Sequence, residues 1–220
     1  MASRRGAGEL YDEIAGHFDA TRYKPWPETV EFLAGLPRGS LVLDAGCGNG
    51  RNALAAMDAG HEVIGFDVSD RMLCKAREKC GCGLVRADAG SAPFRSGAFD
   101  AALSIAVIHH IETEAGRLGA LREIGRVLKP GGLALIGVWA REQERLAGAC
   151  GEDGNAWVDW KTPDGVVRKR FYHLYAEGEF RGALAQAGLR EVRYFFRCDN
   201  HYAVAEPARH ENQGRKTDAF

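Results

Sequence analysis

Between Leu41 and Gly50 the chain reads LVLDAGCGNG, and no other stretch restricts its folding as much. Leu41, Val42 and Leu43 predict a buried strand ending at Asp44, which Gly46, Gly48 and Gly50 break into a tight turn before a helix. Glycine there admits left-handed backbone and lets a ligand approach main chain that carries no Cβ. The spacing G-x-G-x-G differs from the dinucleotide fingerprint G-x-G-x-x-G, and an acid stands directly before the turn. A carboxylate in that place repels a pyrophosphate and attracts an ammonium, which favours S-adenosylmethionine over a dinucleotide. Asp44, Gly46, Gly48 and Asn49 are the contacts this turn is expected to offer. Glycine turns also arise for purely structural reasons, so the neighbours decide.

Downstream, strands and helices alternate. A helix is expected over Asn52 to Ala59 with Gly60 as its cap, then a strand from His61 to Phe66 that ends in Asp67. Asp67 lies about twenty residues past the turn, where an acid accepts hydrogen bonds from both ribose hydroxyls. Ser69 or Asp70 caps a helix running to Lys79, and a short strand, Leu84 to Ala87, ends in Asp88. Asp88 and Ala89 are thereby expected beside the adenine. Phe99 to Ala106 is apolar almost throughout, as a strand covered on both faces must be; Ile105, near its end, is the further cofactor contact. It leads into Val107-Ile108-His109-His110. A helix carrying Leu118, Leu121, Ile124, Val127 and Leu128 on one face stops at Lys129-Pro130-Gly131-Gly132, before a strand over Leu133 to Trp139.

Before the glycine turn, residues 1–8 read as a loose start. A helix from Glu9 to Asp19, apolar at Tyr11, Ile14, Ala15 and Phe18, is expected to lie across the domain as a lid. In TRYKPWP, Pro25 and Pro27 hold Tyr23, Lys24 and Trp26 extended, and Pro27 opens a helix reaching Leu36. Residues 140–167 read as a long irregular connection. The cluster Arg168 to His173 reads as a wet strand edge rather than a phosphate track. A helix over Glu177 to Ala187, capped by Gly188, precedes strands at Leu189 to Arg197 and His201 to Ala205 joined by Cys198-Asp199-Asn200, a hairpin that makes the final strand antiparallel. From Pro207 the polar tail is expected to be disordered, leaving one domain over residues 9–206.

Alternating strands and helices imply right-handed crossovers, a mostly parallel sheet and ligands outside the carboxyl ends of its strands. With 220 residues, 45% hydrophobic, the chain can bury one such core. A formal net charge of -1 excludes a whole-molecule attraction for nucleic acid, although residues 161–220 carry 11 Lys+Arg against 8 Asp+Glu. The six cysteines show no C-x-x-C pair and no framework, so free thiols in a reducing cytosol are expected and no metal site. No signal peptide or membrane-length apolar run is evident, and a cytoplasmic protein is expected.

The glycine turn, the acids after the second and third strands, the KPGG turn and the terminal hairpin together resemble the class I S-adenosylmethionine-dependent methyltransferases. That resemblance implies a Rossmann-like α/β fold with a seven-stranded, mostly parallel sheet whose last strand is antiparallel. YDEIAGHFDATRYKPWP, SIAVIHHI, GVWA, RFYHLYAEGEF and DNHYAV are similar to the eukaryote-type tRNA methyltransferases that esterify carboxymethyluridine at the wobble position of the anticodon. Those enzymes imply two partners: the tRNA anticodon loop and a small zinc-binding activator subunit, whose expected docking place is the strand edge Leu84 to Ala87. The chain departs from the family at Arg51 and Asn52, where lysine and an aromatic are usual, and at His201-Tyr202, where Trp-Tyr is common.

A carboxylate acceptor is already ionised at neutral pH and needs no general base, only alignment and a cation on the oxygen that does not attack. Arg22, Lys24 and His109 are the candidates for that role. Arg22 and Lys24 equally suit a solvated pair beside a proline turn, and one of His109 and His110 suits a packing role. Trp26, His110, Trp139, Asn200 and His201 are the expected substrate contacts, the tryptophans as stacking surfaces for a splayed base. A small-molecule methyltransferase of the same fold, or a catalytically idle cofactor-binding scaffold, would share the glycine turn.

Overall fold

The computed structural model describes residues 6–146 and 150–208; residues 1–5 of the expected loose start and 209–220 of the expected tail lie outside the described residues. Two amino-terminal helices, α1 (Ala7–Thr21) and α2 (Pro27–Ala34), precede β1 (Leu41–Ala45). The alternating part follows as α3 (Arg51–Asp58), β2 (Glu62–Asp67), α4 (Asp70–Arg77), β3 (Gly83–Arg86), β4 (Phe99–Ile105), α5 (Glu114–Val127) and β5 (Leu128–Trp139). A separate hairpin of β6 (Asn155–Lys161) and β7 (Val167–His173) comes next, then α6 (Glu177–Gln186), β8 (Leu189–Arg197) and β9 (Asn200–Pro207). The main sheet has seven strands in the order β3-β2-β1-β4-β5-β9-β8. β9 runs antiparallel between β5 and β8, and the other strands from β3 to β5 pair in parallel. The fold class expected from the sequence is the one observed.

Alternation within the strands divides the core into two layers. Val42, Ala101, Leu103 and Leu135 face Leu33, Ala53 and Ala56 of the α2–α3 layer. Leu43, Ala102, Ile136 and Ala203 face Leu121, Ile124, Phe180 and Leu184 of the α5–α6 layer. Burial on both faces explains why the central strands read as unbroken apolar runs.

Four expectations are corrected. α1 begins two residues before Glu9 and extends past Asp19 to Thr21. Lys129-Pro130-Gly131-Gly132 does not precede β5 but bulges within it: Phe99 pairs with Leu128 and Ala101 with Leu133, with Gly131 at φ 81°. Residues 140–167 are not irregular throughout, because Asn155–Lys161 pairs along its length with Val167–His173. In consequence Arg168 to His173 is no wet edge; Arg170, Tyr172 and His173 are buried. The reversal between the two strands is Thr162-Pro163-Asp164-Gly165, where Thr162 takes up the Val166 carbonyl with its N–H at 2.9 Å and Gly165 adopts φ 82°.

Polar side chains at four positions of α1 tie it to other described elements. Asp12 accepts from the Ser69 hydroxyl at 2.6 Å and the Arg71 N–H at 2.9 Å, so it completes the cap of α4 beside Ser69 itself, whose oxygen takes the Met72 N–H. Asp19 pairs with Lys79 and accepts from Asn49 Nδ2 at 2.8 Å. Glu13 pairs with Arg168, and the Tyr11 hydroxyl meets His110 Nε2 at 2.9 Å. Asp12→Ala is expected to lower the free energy of urea unfolding by about 1 kcal/mol, the usual worth of a helix cap; an unchanged unfolding midpoint would remove Asp12 from that role.

Candidate functional site

The carboxyl ends of β1, β2, β4 and β5 converge on the glycine turn. Gly46, Gly48 and Gly50 all take left-handed φ, at 74°, 53° and 78°. The reason is partly internal: a Cβ on Gly46 would stand 2.5 Å from a Val107 methyl, and one on Gly50 would stand 3.0 Å from Ala76 Cβ. These two glycines admit the turn against its own neighbours, whereas the nearest atom to a Cβ on Gly48 is a Met72 methyl at 3.4 Å. Val107 follows Ala106, a non-glycine residue at φ 60° that stands immediately after β4 and donates its N–H to the Gly137 carbonyl. Such strain at a strand end, next to a turn it interlocks with, marks a site rather than an ordinary connection.

Asp44 is 1% exposed, and one carboxylate oxygen, Oδ2, has no hydrogen-bond partner. Burial pushes its carboxyl up to about 7, against the pull of Arg51 and the Ala53 N–H. A buried acid poised near neutrality with an unfilled acceptor fits a ligand that brings an ammonium. Asp67 behaves differently. Its Oδ2 accepts from the Gly48 N–H and its Oδ1 from the Ser69 N–H, each at 2.9 Å, so it splints the glycine turn to the end of β2. Asp88 is exposed just beyond β3, with Oδ1 accepting from the Gly90 N–H at 2.8 Å; Ala89 is half-buried and Ile105 buried. Asn49 lies in the turn as expected, yet its amide donates to Asp19 and to the Arg22 carbonyl at 2.9 Å. Its side chain fastens α1 down and is not directed to a ligand.

On the far side of the turn the hairpin's inner face closes the site. Tyr172 stacks on Trp139 with centroids 4.2 Å apart at 23°, and His109 and His110 lie 5.1 and 4.5 Å from the Tyr172 ring. His109 is fully buried, and the Trp139 N–H donates to its Nδ1 at 3.1 Å, leaving the proton on Nε2, which has no partner. Burial, with His110 and Arg170 nearby, drives its pKa well down, so the expectation of His109 as a cation is corrected: it is a neutral donor. His110 is bound at both nitrogens, by Tyr11 and by the Phe171 carbonyl at 3.0 Å, and burial lowers its pKa to about 4.

The cation that sequence reasoning overlooked is Arg170. It is 8% exposed, its guanidinium lies 4.6 Å from the Trp160 ring centroid and 5.1 Å from that of Tyr172, and its Nε has no partner. Among the described residues it makes no salt bridge, and Tyr11 is the neighbour whose hydroxyl it reaches. Arg22 joins it on the same Trp160 ring at 5.5 Å. Lys24 does not; it is exposed and sits over Tyr23 at 5.9 Å. The remaining candidates are held by protein groups. Trp26 packs on Tyr202 and under Arg51, Asn200 donates to the Cys198 carbonyl, and His201 is bound by the Tyr194 hydroxyl, Glu142 and the Tyr175 carbonyl.

A family described as a methyltransferase domain matches residues 43–136. The tRNA (carboxymethyluridine(34)-5-O)-methyltransferase of Schizosaccharomyces pombe is 36% identical over 220 residues, covering 90% of this chain and 94% of its own length. The Xenopus tropicalis enzyme of the same name, alkbh8, is 53% identical over 136 residues, which is 62% of this chain. The chain spans about a fifth of the length of such vertebrate relatives, 21% in that case. Among solved structures, the complex between the Haloferax volcanii Trm112 methyltransferase activator and a methyltransferase superposes with a TM-score of 0.71 at 18% identity, over 93% of this chain and 99% of that one. A SAM-dependent methyltransferase of Methanosarcina mazei gives 0.70 at 18% identity, over 84% and 100%. At those identities the likeness establishes the fold.

Proposed function

We propose, from the premise that this chain belongs to the tRNA (carboxymethyluridine(34)-5-O)-methyltransferase family, that it methylates the carboxylate of carboxymethyluridine at the wobble position of a tRNA anticodon with S-adenosylmethionine as cofactor. The observation that carries this reading is the pairing of two unlike sites across the glycine turn: a buried acid with one carboxylate oxygen left unbonded, Asp44, and a buried cation that makes no salt bridge among the described residues, Arg170. The first suits the ammonium of the cofactor's methionine portion. The second suits an anionic acceptor.

S-adenosylmethionine supplies an activated methyl group on its sulfonium. Asp44, Gly46, Gly48 and Asp67 would hold its methionine and ribose portions, while Asp88, Ala89 and Ile105 flank the adenine. On the acceptor side Arg170, backed by Arg22, holds the carboxylate by the oxygen that does not attack, and the Nε2–H of neutral His109 is a second donor. Trp139 and Tyr172 offer the stacking surface for the splayed base, with Trp26, Asn200 and His201 as supports of that wall and Lys24 at its rim. His110 fixes the wall by gripping Phe171 and Tyr11. No side chain is asked to remove a proton, which agrees with two histidines whose lone-pair nitrogens are already taken, His109 Nδ1 by the Trp139 N–H and His110 Nε2 by the Tyr11 hydroxyl. The direct test is transfer of labelled methyl to tRNA carrying carboxymethyluridine, with a panel of small acids beside it. Methylation of a small acid in preference to the tRNA would overturn the reading.

The same reading includes residues 9–206 as one methyltransferase domain, a cytoplasmic setting, and a small zinc-binding activator docked on β3. Among the described residues no helix is long and apolar enough to cross a membrane. β3 is the last strand on its side of the sheet, with half-buried Leu84 and Val85, which supports strand addition there. Val85→Pro removes a ladder donor and is expected to abolish co-purification with the activator while circular dichroism stays unchanged. A folded variant that retains the activator would refute this docking place.

A further inference from the structure

The β6–β7 hairpin has two faces with opposite fates. Ala156 and Trp160 on β6, with Arg170 and Tyr172 opposite, are buried on the inner face, where Trp160 meets His17 and Phe18 of α1. The outer face carries the cross-strand pairs Trp157–Phe171, Asp159–Lys169 and Lys161–Val167. There Trp157 is 43% exposed and Val167 47% exposed. An indole with this much open surface, on a face where Lys161 and Lys169 outnumber Asp159, is what an unpaired nucleotide requires: a π-surface for the base and cations for its phosphates.

We infer that this outer face is a second RNA contact, on which Trp157 stacks one unpaired base next to the methylated nucleotide and Lys169 and Lys161 receive the adjoining phosphates. The inference rests on the tRNA reading above and deepens it. Rigidity supports it as much as chemistry. Phe171 lies directly opposite Trp157 with ring centroids 5.6 Å apart at 72°, an edge-to-face contact that fixes the indole. The same Phe171 offers its carbonyl to His110 at 3.0 Å, so the platform is held in register with the wall of the acceptor site on the other face of the same two strands. A base gripped on the outside thereby tethers the RNA beside the acceptor site and adds to its affinity. A duplex would not serve, because its bases present no open π-face.

The test is binding and turnover of the full chain, with its activator where the activator proves necessary, on an anticodon stem-loop. Trp157→Ala is expected to raise the RNA Kd about tenfold with kcat at saturating RNA and the S-adenosylmethionine Kd unchanged, and Trp157→Phe to recover most of the loss. Lys169→Ala should reduce the slope of log Kd against log salt by about one. Equal RNA affinity for wild type and a folded Trp157→Ala chain overturns this inference alone. Failure of the wild type to bind the stem-loop overturns it together with the tRNA reading. Wild-type dimers that dissociate on Trp157→Ala, with RNA affinity unaltered, overturn it in favour of a second copy of the chain on this face.

Discussion

Asp44→Asn is expected to weaken S-adenosylmethionine binding by about 100-fold, roughly 3 kcal/mol, while leaving the ligand-free fold more stable than the wild type above pH 7. Both effects follow from one buried carboxyl whose pKa burial raises to about 7. The folded chain holds a proton on Asp44 that the unfolded chain has released by about pH 4. Its contribution to stability is therefore full below that pH and is lost as pH rises through about 7. An asparagine carries no such proton and removes the slope. Ligand binding has the opposite sign, because an ammonium needs the ionised acid. Wild-type affinity should fall on acidification below pH 7, by up to about tenfold per unit, whereas the variant's weak affinity should be flat. Calorimetric titrations at pH 5.5, 6.5 and 7.5, paired with urea unfolding at the same values, test both halves. A pH-independent wild-type affinity would mean that Asp44 is not the ammonium's partner.

The glycine turn was legible in the sequence because its causes are local: left-handed backbone, a strand-end acid and the interval to Asp67 all lie within about twenty-five residues. Its finer physics was not. That Gly46 is required by Val107, sixty residues on, and that Asn49 reaches back to Asp19, are facts of packing that spacing does not encode. The β6–β7 hairpin is a different kind of miss, since its signals were present. Thr162-Pro163-Asp164-Gly165 is a turn with a proline and a left-handed glycine in sequence, and the two-residue period of a strand over Val167–His173 puts Arg168, Arg170 and Tyr172 on one face. The length and polarity of the segment before it masked the pairing. What no local pattern reveals is where that face goes. Tyr11, which Arg170 reaches, stands near the other end of the chain.

That non-local arrangement sets the second large effect: Arg170→Met is expected to lower kcat/KM for carboxymethyluridine tRNA by at least about 100-fold, with S-adenosylmethionine affinity changed less than about twofold. Methionine fills a similar slot between the Trp160 and Tyr172 rings, so packing is conserved and the charge is what is lost. A buried guanidinium without a carboxylate costs several kcal/mol of desolvation, offset here, among the described residues, by two ring faces and a tyrosine hydroxyl. Removing it should leave the fold at least as stable, and a raised melting temperature beside a collapsed rate would separate function from structure. Arg170→Lys tests geometry, since an ammonium keeps the charge but not the planar fork, and intermediate activity is expected. An acceptor in which an amide replaces the carboxylate should lose little further binding in Arg170→Met, because the lost interaction is with the anion. Were the Met variant folded and fully active on tRNA, the acceptor's charge would have to be met elsewhere, and Arg22, on the other approach to Trp160, would take its place.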